Sequence, residues 1–215
     1  MKVYGALRHF GELQSGDVLI DHKRSGRPED LITHAAVVAG TESVLPWIIH
    51  LTGWGGLALD QIYVTSCNCW SCYRLNVEDV GQKVVDIAMY WIHNNGRLDN
   101  LNFTSEAGIT VQNVYDIPSI LTAFFGKSSF GHKARQHADY LHRNCHQSPP
   151  DALRPGNGAF SGAICSYLPI ALYQTALGTD GCEEYMAIDA RRSLPQDLVK
   201  YFDSNICWKN YDLPY

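Results

Sequence analysis

The hydrophobic period of this chain changes once, near Val77, and that change limits the folds open to it. Before Val77, short runs rich in β-branched and aromatic residues are separated by turn residues. After it, apolar residues recur every three or four positions. SGDVLIDH, residues 15–22, reads as a strand after a glycine turn, and the polar run KRSGRPED ends it. ITHAAVVAG (32–40) and SVLPWIIHL (43–51) read as two strands around a Gly-Thr-Glu turn. LDQIYVTSC (59–67) and SCYRLN (71–76) are expected to continue the meander.

The helical half opens at residues 77–96, where Val80, Val84, Ile87, Ala88 and Trp91 share one face and Gly96 stops the run. PSILTAFFG (118–126) has a proline suited to a first helical turn, and GHKARQHADYLHRN (131–144) is a further helix. Residues 97–116 are polar and irregular, and 147–162 form a Pro/Gly-rich loop leading to Cys165. The expected class is α+β, with a strand-rich N-terminal half forming an antiparallel sheet packed against helices. A single domain over 1–215 is expected, with a helical and loop insertion around 77–157.

The chain can bury a core, since 46% of its 215 residues are hydrophobic and 18% are charged. Its net charge of -5 and lack of a basic block argue against nucleic acid as a partner. No apolar run reaches the roughly 18 residues of a spanning helix, so no transmembrane segment is expected. The start MKVYGALRHFGELQSGDVLI has no signal-like apolar region, so synthesis in the cytoplasm without a cleavable signal is expected. Seven cysteines, an odd number in a chain without a signal, point to free thiols made in a reducing compartment.

Cys165 is the candidate nucleophile. It follows the glycine-rich loop and precedes YLPIALYQTAL, where Leu168, Leu172, Tyr173 and Ala176 give a buried helical face. A helix start and a neighbouring imidazole favour a thiolate. Pro169 lacks the N–H that the Cys165 carbonyl would use, so the helix is expected to begin after Cys165 or with an irregular turn. His34, in THAAVV, is the candidate base, and His50, at the end of WIIH, the candidate orienting group. Trp54, on a glycine-flanked loop just after His50, is a candidate wall for a substrate groove. CNCWSC (67–72) has one C-x-x-C pair with no second knuckle, and His142 and His146 lack a local carboxylate, so no metal or other cofactor is expected.

GDVLI, THAAVV and WIIHL, followed far downstream by CSYLPIALYQTALG, resemble the circularly permuted papain-like cysteine hydrolases. That group holds the permuted NlpC-type enzymes (the YiiX-like branch) and, more distantly, the lecithin:retinol acyltransferase-like proteins. Gly16-Asp17-Val18 matches the strand that opens the family sheet, and His34 matches the base. His50 matches the polar partner, and Cys165 with Ser166 and Tyr173 matches the helix that carries the nucleophile. The resemblance implies a permuted papain-like fold and hydrolysis of an amide through a thioester. It implies that the backbone N–H of Cys165 helps hold the oxyanion, with Tyr4, Tyr63 and Tyr167 as candidates for the second donor. A peptide substrate follows, with the stem peptide of bacterial cell wall as the leading case. Export by a signal-independent route as an antibacterial effector would then bring a cognate immunity or inhibitor protein as partner. The alternatives are acyl transfer or hydrolysis on a lipid by the same Cys-His pair, and a binding module in which Cys165 is merely packed.

Overall fold

The computed structural model of the chain describes residues 3–6, 10–23, 31–41, 45–52, 56–62, 68–94, 130–153 and 165–213. Its centre is β2 (Val18–Lys23), where Val18, Leu19 and Ile20 are all fully buried. Such an unbroken apolar run suits a strand covered on both faces. β3 (Leu31–Gly40), β4 (Trp47–Thr52) and β5 (Gly56–Gln61) follow as an antiparallel meander on one side of it. β6 (Asn68–Leu75) does not continue that meander, as the sequence had suggested, but returns to pair with the other edge of β2. β7 (Trp208–Asp212) pairs antiparallel with β6, and β1 (Val3–Ala6) adds to β7 in parallel. The sheet order is β1-β7-β6-β2-β3-β4-β5, so six strands are antiparallel and β1 is the parallel addition.

Four helices are described: α1 (Val80–Asn94), α2 (His132–Asn144), α3 (Tyr167–Tyr185) and α4 (Pro195–Ser204). α3 is buried nearly all round over its first ten residues, which marks it as the central helix of the layer. Val84, Ala88 and Trp91 of α1 and Leu141 of α2 join α3 over the sheet face that carries Val18, Ile20, Ala35, Val37 and Ile49. Both described helices between 77 and 157 are thus part of the core. The opposite sheet face carries Leu19, Ala36, Val38, Ile48 and Trp70, with Leu13 and Leu213 against them. The expected helix at 118–126 and the loop at 97–116 lie outside the described residues.

α3 is broken at Gly178, whose φ of 74° lies in the left-handed region. A side chain there would also press on the His142 ring, whose Nε2 would lie 3.1 Å from its Cβ. Pro169 falls in the first turn, where a missing N–H leaves no intrahelical bond unmade. Two contacts tie the helix layer to the start of β2. The Tyr173 hydroxyl donates to the Gly16 carbonyl at 2.6 Å. Gly16 has φ +87°, and any Cβ on it would enter the backbone of Gly81 in α1. Next to it, Asp17 accepts from Arg74 Nε and Nη2, both at 2.7 Å, while Arg74 Nη2 also donates to the Glu12 carbonyl.

These anchors set two expectations, both read by chemical denaturation. Tyr173→Phe strands a buried carbonyl and should lower stability by about 1–3 kcal/mol. Arg74→Met leaves the Asp17 carboxylate, 1% exposed, without its cation and should cost about 3–5 kcal/mol. The paired change to apolar residues at both positions should cost less than Arg74→Met alone.

Candidate functional site

The register of β3, β4 and β5 assembles three polar side chains into a line. His50 lies opposite Ala36 on one side and Ala58 on the other, and both are too small to block its ring. His34, two residues before Ala36, and Asp60, two after Ala58, are its diagonal neighbours on the same face. His34 Nε2 and His50 Nδ1 are 2.9 Å apart, with the rings edge to face at 88°. His50 Nε2 is 2.9 Å from Asp60 Oδ2. The line runs outward, from half-buried His34 through His50, 14% exposed at its side chain, to Asp60 at 55%.

Cys165 meets β3 from the helix layer, at Ala35. It sits with Ser166 in a turn, and α3 begins at Tyr167, the later of the two starts that Pro169 left open. Ser166 is buried, and its hydroxyl donates to the Ser193 carbonyl at 2.6 Å, so the helix start is tied to the turn before α4. The registered β3–β4 pairing ends at Ala36 and His50, one residue short of Ala35. The Ala35 N–H is instead directed to the Cys165 sulfur, together with the N–H groups of Ser166 and of Cys165 itself. The thiol therefore rests against the residue that follows His34 in the chain.

Burial decides the protonation of both groups. It pushes the Cys165 thiol up to about 11, against the three N–H donors that work to lower it. It lowers His34 to about 4, helped by the positive potential of His50. Between those limits the pair is a neutral thiol and a neutral imidazole, not a resting thiolate and imidazolium. The N–H donors at the helix start do not outweigh burial.

Cys165 thus meets the backbone of β3 at Ala35, and His34 and His50 are paired on the sheet face that carries Ala36 and Ile48, whereas Trp54 lies outside the described residues, as does Tyr63. Tyr167 is buried with its hydroxyl 3.2 Å from His137 Nε2, so it is engaged with α2. His142 Nδ1 is 2.8 Å from the Thr175 carbonyl oxygen, and its ring meets that of His146 edge-on. Among the described residues, no group of three or more His, Cys, Asp or Glu side chains is placed to hold a metal ion. A hollow of about 540 Å³ lies beside Asp17, Arg74, Asp79 and Tyr173, two helical turns from Cys165, and includes none of the relay.

Asp60 is the site residue that the sequence reading missed. Its signal was the alternation of GLALDQ, in which Leu57 and Leu59 face the core and Ala58 and Asp60 face away. Seeing it required pairing that run with WIIHLT in the register of a hairpin. Comparison with known protein families, with curated proteins and with solved structures gives no match for this chain. Among the described residues, no helix is long and apolar enough to cross a membrane.

The lowered His34 value carries a sign for stability. The unfolded chain takes up this proton near the ordinary value of 6.5 and the folded chain only near 4. His34 thus favours folding fully above pH 6.5, and that contribution is lost progressively as pH falls toward 4. The melting temperature should drop across that window in wild type and drop less in His34→Gln, as read by circular dichroism.

Proposed function

We propose that this chain is a cysteine hydrolase that cleaves an amide through a thioester, with Cys165 as nucleophile, His34 as base and His50 as orienting group. The observation that carries the reading is the Ala35 N–H on the Cys165 sulfur, which sets the thiol against the residue next in the chain to His34, itself in a hydrogen-bonded line. The Cys165 sulfur attacks the substrate carbonyl carbon while His34 takes its proton. The N–H of Cys165 stabilises the oxyanion, a kind of interaction worth about 3–4 kcal/mol in comparable sites. As the tetrahedral intermediate collapses, the C–N bond breaks and His34 gives the proton to the leaving amine. Water then attacks the thioester, losing its proton to His34. The C–S bond breaks, the acid departs, and His34 returns the proton to Cys165.

Proton transfer of this kind follows from the neutral resting pair, since no thiolate waits in the free enzyme. The resemblance to permuted NlpC-type enzymes supports a peptide substrate, with the stem peptide of bacterial cell wall as the first to test. An antibacterial role with a cognate immunity protein is the biological setting that fits such a substrate.

The test is mass spectrometry of products from purified peptidoglycan and from a phospholipid vesicle panel, with Cys165→Ala as control. New stem-peptide fragments formed by wild type alone are expected. Release of acyl chains with stem peptides left whole would replace the amide reading with lipid acyl hydrolysis. Absence of any product, with no acyl adduct on Cys165, would leave a binding module. His34→Ala should slow acylation by roughly 100-fold or more, and His50→Ala by less, since His50 acts through His34.

A further inference from the structure

We infer that Asp60 is a positioning residue that fixes the order of protons along the line and thereby makes Nδ1 of His34 the basic nitrogen. This rests on the reading of Cys165 and His34 as nucleophile and base. A carboxylate can only accept hydrogen bonds. His50 Nε2, at 2.9 Å from Asp60 Oδ2, must therefore carry a proton. In neutral His50 the other nitrogen, Nδ1, is then bare and accepts. Its partner at 2.9 Å is His34 Nε2, which must donate. His34 is held neutral by burial, so a proton on Nε2 leaves Nδ1 bare.

The reverse order fails at its outer end. It would set a bare Nε2 of His50 against a carboxylate oxygen at hydrogen-bond distance, two acceptors with no proton between them. Without Asp60 nothing in the pair His34–His50 chooses between the two orders, because each neutral imidazole offers one donor and one acceptor. Asp60 thus acts by direction more than by strength. At 55% exposure an ion pair contributes little to stability, but its acceptor-only character is not weakened by solvent.

The experiment uses the full chain labelled with ¹⁵N-histidine, and reads the ring tautomers by two-bond ¹H–¹⁵N correlation at pH 7.5. In wild type, His34 and His50 should both appear as the Nε2–H tautomer. In Asp60→Ala both should become tautomer mixtures, and Asp60→Glu should restore the wild-type spectrum. In parallel, acylation of Cys165 by p-nitrophenyl acetate should slow by roughly ten-fold in Asp60→Ala, less than for a buried triad carboxylate. It should recover in Asp60→Glu, with melting temperatures unchanged in all three. Wild-type His34 protonated on Nδ1, or tautomers in Asp60→Ala identical to wild type, would overturn the inference. If p-nitrophenyl acetate leaves wild-type Cys165 unacylated while the tautomers follow the stated pattern, the hydrolase reading fails and the proton order stands.

Discussion

The bond from the Tyr173 hydroxyl to the Gly16 carbonyl sets the geometry on which the candidate site depends. It fixes α3 along its length against the start of β2. Cys165 lies eight residues before Tyr173, a distance of about 12 Å along a helix. On β2, Ile20 lies four residues beyond Gly16, about 13 Å along a strand. Ile20 is the registered partner of Ala35, and Ala35 is the residue whose N–H meets the Cys165 sulfur. Helix and strand therefore touch at two points with matched spacing. Sliding α3 along the sheet would break both contacts at once, which is how a long-range bond controls the position of the thiol.

Close approach at the Gly16 end is possible because neither Gly16 nor Gly81 has a side chain to hold the layers apart. The adjacent Asp17 is buried, and its two bonds to Arg74 remove the cost of an unpaired charge while joining β2 to β6. Gly-Asp in this strand is thus explained by packing and by charge compensation. Neither residue belongs to the line of Cys165, His34, His50 and Asp60. A short motif here combines residues that build the frame with residues that face the site, and only the contacts separate the two kinds.

The parts of this arrangement that were legible in the sequence are those specified over short distances. Short runs of β-branched and apolar residues between turns identified β2, β3 and β4, and the three-to-four residue period identified α1, because each depends only on neighbouring residues. Pro169 left a start after Cys165 or an irregular first turn, since a missing N–H is a local fact, and α3 takes the later start. β5 was harder to place. GWGGLALDQ reads locally as a turn and then a strand from Leu59, yet pairing with β4 recruits Gly56 into the strand, opposite Thr52. The return of β6 to β2, the bond of Arg74 to Asp17 across 57 residues and the closing strand β7 have no local signature. Asp60 belongs with them. Its meaning comes from standing diagonal to His50, and a diagonal exists only once the register is known.

Burial gives the site its chemical character. A thiolate–imidazolium pair at this depth would carry two charges whose desolvation its three N–H donors do not offset, and the resting pair is neutral instead. In the proposed reaction, charge would appear only when the sulfur attacks and the proton reaches His34. At that moment the groups around it are already oriented for it. The N–H groups on the Cys165 sulfur would meet the negative charge of that reaction, and His50 would share the positive one with His34. The line ends on a carboxylate in contact with solvent, so an imidazolium at His34 is coupled through His50 to a counter-charge that is itself inexpensive to hydrate. A fully buried carboxylate would hold the same proton order more tightly, but it would need partners of its own in the ionised form. Placing Asp60 at the exposed end leaves water to solvate it.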